Sequence, residues 1–281
     1  MKPILFTIGS LNIYGYGMMI ALAVVAAVVV SMIRAKYVYK TDPDLLFNAG
    51  IIGIIFGLIG AKLTYWIVEI KAVIANPRML LDLGGGFVVY GGIILGILAP
   101  VLYLKLIKKK RALPLLDLAM PAISLGQAIG RVGCLLSGCC YGAACPEGAW
   151  YGITFPAGAE APVGVALYPT QIMSSVGNLL LFVFLIIYTR REKFAGEVTA
   201  FYMILYSIGR FIVEIFRADP RGSVGALSTS QFISIFMLAG GIALWIILKK
   251  KNYAPLRPEG RFEPESKANN GGKEETGAVE K

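Results

Sequence analysis

The stretch from Gly130 to Gly142 gathers the residues of this sequence best suited to chemistry. It contains Arg131, four glycines and three of the four cysteines, and it closes a long apolar segment. An arginine at the edge of a membrane segment is costly without an anionic partner, so such residues usually mark functional sites. Glycines let a ligand approach the backbone closely. The stretch therefore predicts an anion-binding site at a membrane surface.

A second arginine, Arg210, lies in another apolar segment, seven residues before Arg217. If Arg131 and Arg210 lie at similar depth, two guanidinium groups can clamp one phosphate through fork-like hydrogen bonds. In the alternative interpretation each arginine pairs with a nearby acid and only holds helices together. Glu214 supports this alternative, because it follows Arg210 by four residues and so shares its helical face.

A glycine-rich segment, Tyr90-Gly91-Gly92, follows Gly84-Gly85-Gly86 at the start of a third apolar segment. Free backbone N–H groups at such a helix start can bind an anion. The alternative is a simple turn, with Tyr90 in the aromatic belt at the membrane interface.

The four cysteines, Cys134, Cys139, Cys140 and Cys145, lie close together in the sequence. In an oxidising compartment we expect disulfides, although the adjacent Cys139 and Cys140 rarely bond to each other and the pairing is not determined. A reactive thiol is the alternative, since the positive charge of Arg131 lowers a thiol pKa. The spacing lacks the paired C-x-x-C pattern of zinc sites and the chain has no histidine, so we expect neither a metal nor a cofactor.

Seven apolar segments must position these residues. The chain is 57% hydrophobic and 16% charged, against roughly 45–50% and about 25% in soluble domains. A helix needs about 20 mostly apolar residues to cross a bilayer, and the segments are too long for the alternating strands of a barrel. The pattern predicts an all-α polytopic membrane protein with seven transmembrane helices, at 14–33, 45–68, 87–104, 115–136, 170–189, 198–216 and 231–248.

Basic residues in the connecting segments predict the orientation. Fourteen fall on one side of the predicted membrane, for example Lys108 to Arg111, and five on the other, namely Lys2, Lys71, Arg78, Arg217 and Arg221. Such an excess marks the cytoplasmic side, so we expect the N-terminus outside and the C-terminus in the cytoplasm. Because the bases alternate with spans, the net charge of +10 does not indicate nucleic acid as a partner.

The segments between spans are unequal. We expect residues 1–251 to form one membrane-embedded domain, with an arm at about 69–86 on the membrane surface and a small extracytoplasmic head at about 135–169. The polar stretch 252–281 predicts a disordered cytoplasmic tail. In the second span Lys62 either pairs with Asp117 or faces a lipid phosphate, and the glycines at 50, 53, 57 and 60 predict close helix packing.

The chain resembles the prolipoprotein diacylglyceryl transferase family over about residues 12–250. Tyr16-Gly17-Met18-Met19 is similar to the tyrosine–glycine pair that opens that family's first span. The stretch from Leu125 to Gly142 is similar to its glycine–arginine signature. The run from Arg210 through Glu214 to Arg217 is similar to its Arg-x-x-x-Glu-x-x-Arg pattern, Gly60-Ala61-Lys62-Leu63 to its Gly-Ala-Arg-Leu element, and Tyr168-Pro169-Thr170-Gln171 to its His-Pro-x-Gln element.

Four residues depart from the family pattern. Cys134 and Cys139 replace the asparagine and the glutamate of the signature, and Tyr90 and Tyr168 replace two histidines. The resemblance therefore implies that the anionic-lipid site is kept while proton handling is altered.

The resemblance also implies a function. We expect an enzyme of the bacterial inner membrane that transfers the diacylglyceryl group of phosphatidylglycerol to the lipobox cysteine of prolipoprotein signal peptides. It implies catalytic roles for Arg131, Arg210, Tyr16, Tyr90 and Glu214, and substrate-binding roles for Arg131, Gly142, Gly91, Gly92, Lys62 and Arg217. The alternative is a non-catalytic or redox-active lipid-binding membrane paralogue.

Overall fold

A computed structural model describes residues 4–8, 11–82, 84–220 and 222–256. Lys2, Arg221 and the tail from residue 257 onward lie outside the described residues. The described part contains seven helices long and apolar enough to cross a membrane, which confirms the predicted number. The α-helices are α1 (Gly15–Ile33), α2 (Pro43–Val68), the short α3 (Ile70–Ala75), α4 (Val89–Leu102), α5 (Ala112–Ser137), α6 (Thr170–Tyr188), α7 (Glu197–Ile215) and α8 (Thr229–Lys251).

Two of the spans continue past their α-helical ends in a π-helical turn, and a 3₁₀ turn, Thr189–Arg191, extends α6. A π-helical turn, Arg34–Val38, extends α1, and another, Tyr103–Ile107, extends α4. Both turns contain basic residues, whose long side chains can bury their stems while the charge reaches water. The spans therefore end later than the loss of apolar residues in the sequence suggests.

Short strands, which the sequence pattern does not predict, flank the helices. Strand β1 (Ile4–Ile8) pairs antiparallel with β2 (Leu11–Tyr14) just before α1. Strand β3 (Ser223–Val224) pairs with β4 (Leu227–Ser228) just before α8. Ser228 then caps α8, because its Oγ accepts from Gln231 N at 3.1 Å while Gln231 Oε1 accepts from Ser228 N.

Glycines set the closest helix contact, between α2 and α4. A Cβ at Gly60 would collide with the carbonyl oxygen of Gly91, and a Cβ at Gly53 would lie 3.1 Å from that of Gly96. Backbones can approach this closely only where side chains are missing. The predicted packing role of the glycines in the second span is thus confirmed.

A buried polar cluster joins the helices at the end of the molecule that carries most of the basic residues. Asp117 is fully buried and accepts hydrogen bonds from Thr199 N at 2.7 Å, Thr199 Oγ1 at 2.6 Å and Gly196 N, so it caps the start of α7. Burial and the neighbouring Asp117 carboxylate raise the pKa of Glu192 to about 11. The suggested ion pair between Lys62 and Asp117 is wrong, because Asp117 is satisfied at α7.

At the opposite end, the connection between α5 and α6 is an ordered head. It begins at Gly138, since α5 runs to Ser137, slightly later than the sequence suggests. Phe155, Ala161 and Leu167 form its own small core, and Leu167 is bridged to Ala144 and Ile153. The arm contains α3 and a 3₁₀ turn, Pro77–Leu80, with Ile74 and Leu81 exposed.

Candidate functional site

The backbone around Gly142 brings three sequence motifs together. Gly142 forms an antiparallel bridge with Arg217, the N–H of Ala143 donates to Phe216 O at 2.8 Å, and the N–H of Tyr168 donates to Ala143 O at 2.9 Å. A Cβ at Gly142 would collide with Tyr168 and with the carbonyl of Phe216. Gly142 is therefore a spacer that assembles the site, whereas the resemblance implies that it binds substrate.

The turn that follows α5 is fixed onto the start of α6. Gly138 ends α5 in the left-handed region at φ +77°, and Cys140 also has a positive φ of +61°. Gln171 Nε2 donates to Cys139 O and Thr170 Oγ1 donates to Cys140 O, each at 2.8 Å. The turn therefore holds one geometry.

This geometry gathers three of the four cysteines. The sulfur atoms of Cys134, Cys139 and Cys140 all lie within 4.8 Å of one another, and Cys145 is not part of the group. We call these three residues the thiol cluster. All four cysteines are free thiols in the structure, not the bridged pairs that the sequence favours, because three sulfurs converge on one point instead of forming pairs.

Arg131 and Arg210 line one cavity of about 300 Å³ between α5, α6 and α7, as the phosphate-clamp hypothesis requires. The rest of the lining is mainly apolar. Leu180 and Phe184, which belong to it, are 64% and 41% exposed on the outside of the bundle. The cavity thus opens sideways between apolar side chains, toward the region that lipid would occupy, and both guanidinium groups belong to its lining.

Arg210 is already paired within the protein. Its guanidinium lies 2.6 Å from Glu214 Oε2 and donates to Ser230 Oγ at 2.8 Å. Glu214 is buried and also accepts from Ser228 Oγ at 2.8 Å. Glu214 therefore ties α7 to the start of α8.

Arg131 has different surroundings from Arg210. Within the described parts of the chain, it forms no hydrogen bond or ion pair with another residue. Tyr206, Cys134 and Cys140 lie in electrostatic range of its guanidinium. A guanidinium without a protein partner in a mainly apolar cavity favours an anionic ligand.

Arg217 lies beside the thiol cluster. Its Nε and Nη2 donate to the two carboxylate oxygens of Asp219 at 3.0 and 2.9 Å. Burial alone would lower the pKa of Arg217, but Asp219 and Cys140 outweigh it and raise the pKa. Hydrogen bonds from Cys134 and Cys139, with the charges of Arg217 and Arg131, hold the pKa of Cys140 well below its ordinary value.

Tyr16 joins this site from α1. It lies in electrostatic range of Arg131 and of all three sulfurs of the thiol cluster. The contact depends on Gly133, where an added Cβ would lie 3.3 Å from Tyr16 O and 3.0 Å from Met19 Cβ. The tyrosine–glycine pair at the start of the first span and the arginine signature are thus neighbours.

The remaining predicted residues lie elsewhere. Gly91 and Gly92 pack against α2, where a Cβ at Gly91 would collide with Thr64 and Gly60. The structure therefore gives these glycines a packing role, and Tyr90 does not line the arginine cavity. Lys62 Nζ donates to Gly85 O at 2.5 Å and lies over three aromatic rings, so its side chain ties α2 to the arm.

Tyr206 is a site residue that the sequence analysis missed. It lines the cavity and lies in electrostatic range of both Arg131 and Arg210. A signal was present, because Tyr202, Tyr206, Arg210 and Glu214 recur every four residues and so form one stripe along α7.

Comparison with known proteins identifies the family of the chain. A family model described as "Prolipoprotein diacylglyceryl transferase" matches residues 3–247. A phosphatidylglycerol–prolipoprotein diacylglyceryl transferase of Clostridium tetani is 48% identical over 247 residues, which cover 88% of this chain and 98% of the relative. A second such enzyme, from Clostridium perfringens, is 48% identical over 89% of this chain and 97% of its own, and one from Finegoldia magna is 35% identical over the same shares. The chain therefore belongs to the prolipoprotein diacylglyceryl transferase family.

Proposed function

We propose that this protein transfers the diacylglyceryl group of phosphatidylglycerol to the thiol of a cysteine in a prolipoprotein signal peptide. The relatives from Clostridium tetani and Clostridium perfringens bear names that describe this activity. The observation that carries the proposal is Arg131, which has no hydrogen-bond or ion-pair partner among the described residues and lines a cavity that opens sideways between apolar helices.

The reaction sets three requirements. The thiol sulfur attacks the carbon of the diacylglyceryl group that is bonded to the phosphate oxygen. A C–S bond forms and the C–O bond at that carbon breaks. The bonding electron pair leaves with the oxygen of glycerol phosphate, and the thiol proton passes to the surroundings. The site must align the two reactants, stabilise the growing phosphate charge and ease loss of the proton.

Arg131 is suited to the phosphate. An arginine fork matches two phosphate oxygens, and its field is strong where water is excluded. Arg210 lines the same cavity, but it already bonds to Glu214 and Ser230, so it has fewer N–H groups left to donate to the phosphate. We assign Arg131 to stabilise the leaving group and Arg210 to bind it more weakly and shape the cavity.

The apolar lining is suited to the acyl chains. Leu180, Phe184 and Leu205 line the cavity and are also exposed on the outside of the bundle. A phospholipid can enter from the bilayer with its headgroup leading and its chains still in apolar surroundings. Tyr16 and Tyr206 supply hydroxyl groups around Arg131 that can orient the headgroup.

Loss of the thiol proton needs little help from a base in this setting. Arg131 and Arg217 raise the local positive potential, and a positive potential lowers a thiol pKa. This account requires neither histidine nor Glu214 as a general base.

The seven apolar helices make the protein a multi-pass membrane protein. We place it in the bacterial inner membrane with the thiol cluster, the arm and the head outside, where secreted prolipoproteins emerge. The excess of basic residues at the opposite end supports this orientation.

The decisive experiment combines the purified protein with phosphatidylglycerol vesicles and a peptide that contains a lipobox cysteine. We expect release of glycerol phosphate together with a diacylglyceryl-modified peptide. Arg131→Ala should lower the rate by at least about 100-fold, the scale of one lost charge-stabilising group. The matched control is Arg190→Ala, an exposed arginine at the opposite end, which should leave the rate unchanged.

The negative outcomes separate the hypotheses. If folded wild-type protein binds phosphatidylglycerol but modifies no peptide, the transferase proposal fails and the result supports a lipid-binding paralogue. If Arg131→Ala retains full activity, the assignment of the leaving group to Arg131 fails although the transferase activity itself stands.

A further inference from the structure

The thiol cluster is the feature of this site that diacylglyceryl transfer does not use. Cys134 comes from the last turns of α5, and Cys139 and Cys140 come from the turn after it. Their three sulfur atoms lie within 4.8 Å of one another. Three soft donors from two backbone segments therefore face one point.

This spacing is close to that of three thiolates on one metal ion. With zinc–sulfur bonds of about 2.3 Å, three sulfurs around one ion lie about 4 Å apart. A disulfide would instead bring two sulfurs to about 2 Å and leave the third without a role. A shared ion thus uses all three sulfurs, and their separation of less than 4.8 Å allows it.

The backbone fixes the donors in place. Gly138 and Cys140 have positive φ, and the carbonyls of Cys139 and Cys140 are hydrogen-bonded by Gln171 and Thr170 at 2.8 Å. A Cβ at Gly138 would collide with Ala159, so the head also holds the turn. Small side-chain rotations are then sufficient to close the sulfurs on an ion.

The charges around the cluster suit a loaded site. Three thiolates and one divalent ion carry a net charge of −1. Arg131 and Arg217 lie in electrostatic range of Cys140 and can balance that charge. A bare cation alone would be repelled, so the arginines favour a metal only as its thiolate complex.

We propose that Cys134, Cys139 and Cys140 bind a thiophilic ion with a filled d shell, Zn²⁺, through three thiolates. Binding replaces three S–H bonds with three metal–sulfur bonds and releases up to three protons, and nothing is oxidised or reduced. The fourth tetrahedral position remains for water or a further ligand. The site reverses the expectation of no metal, which rested on the missing C-x-x-C spacing.

The test uses the full chain, purified in detergent without oxygen, stripped with a chelator and then given Zn²⁺. After desalting we expect one zinc per chain in the wild type. The matched control is Cys145→Ser, which removes the cysteine outside the cluster and should keep full binding. Cys134→Ser and Cys139→Ser should each no longer bind one zinc per chain. When these variants are titrated with Cd²⁺, the thiolate-to-metal absorption band of the wild type should be absent.

Several results would overturn the proposal. One is wild-type protein that takes up no zinc while alkylation finds its thiols free. Another is a mass showing a disulfide within the cluster in protein purified without oxygen. A third is equal loss of zinc in Cys145→Ser. Helical circular dichroism verifies the fold of each variant, and the wild-type measurement decides even if one variant fails to fold. None of these readouts depends on transferase activity.

Discussion

At the scale of single residues, the two cavity arginines differ in how many hydrogen-bond donors remain for a ligand. Arg210 spends its hydrogen bonds on Glu214 and Ser230, whereas Arg131 has no protein acceptor among the described residues. Two identical side chains that line one cavity thus differ, since protein groups hold Arg210 and we propose that a ligand binds Arg131. A mutation of Arg210 should consequently lower mainly the stability of the protein, whereas a mutation of Arg131 should lower mainly the reaction rate.

Glu214 gives a sharp test of this division. Glu214→Gln can still accept from Arg210 and bond to Ser228, so we expect transferase activity within about tenfold of wild type. A general base would instead lose about 10²–10⁴-fold on the same change. Glu214→Ala leaves the mostly buried Arg210 without its partner and should lower the free energy of unfolding by about 3 kcal/mol. Rates with the lipobox peptide and thermal unfolding measure the two effects.

Ser230→Ala is the companion variant, because it removes only the neutral partner of Arg210 and should cost much less stability. A Glu214→Gln protein that folds normally but loses a thousandfold in rate, with an altered pH profile, would make Glu214 a base after all.

Residue types and spacing indicated both arginines and the Arg210–Glu214 pair, but not the contacts of Arg210 with Ser230 or of Arg131 with Tyr206. The cost of a buried charge identifies Arg131 and Arg210 in the sequence, because few other interpretations compete. The thiol cluster was not predictable in the same way, since its geometry depends on the left-handed turn at Gly138 and Cys140 and on the hydrogen bonds from α6.

At the scale of elements, apolar length determined the seven spans, and the glycines determined how two of them meet. The ambiguity lay in Gly91 and Gly92, because a glycine-rich helix start suits an anion and a neighbouring helix equally well. Only the facing residues decide, and Gly57, Gly60 and Thr64 of α2 occupy the space that an anion would need. The sequence does not state which helices are neighbours, so this choice required the fold.

Gly91→Ala tests the packing role. The added methyl group would collide with Thr64 and Gly60, so α2 and α4 must separate, and we expect about 1–3 kcal/mol of lost stability. Gly17→Ala is the matched control on another span, because nothing lies within 4 Å of the added Cβ, and it should be neutral or slightly stabilising. Unfolding in increasing concentrations of a denaturing detergent measures the stability of both variants. Equal stability of the two variants would contradict the close α2–α4 contact.

At the scale of the whole molecule, the two ends of the bundle have different chemistry. One end carries the Asp117 cluster and most of the loop bases, for example Lys108 to Arg111. The other carries the thiol cluster, the arm and the head, where Gly142 links α5, Tyr168 and Arg217. Because seven spans separate the two termini, the orientation of one connecting segment fixes that of every other.

Orientation can be measured with two exposed positions, Ala157 in the head and Lys108 in a basic turn. In intact cells we expect Ala157→Cys to react with a membrane-impermeant maleimide and Lys108→Cys to react only after the membrane is opened. Peptide mapping by mass spectrometry keeps the four native cysteines from confusing the result. The charge asymmetry supports this outcome, since basic loops remain on the cytoplasmic side. If only Lys108→Cys were labelled in intact cells, the protein would have the opposite orientation in the membrane. A secreted prolipoprotein could then not reach Arg131 from the side on which it emerges.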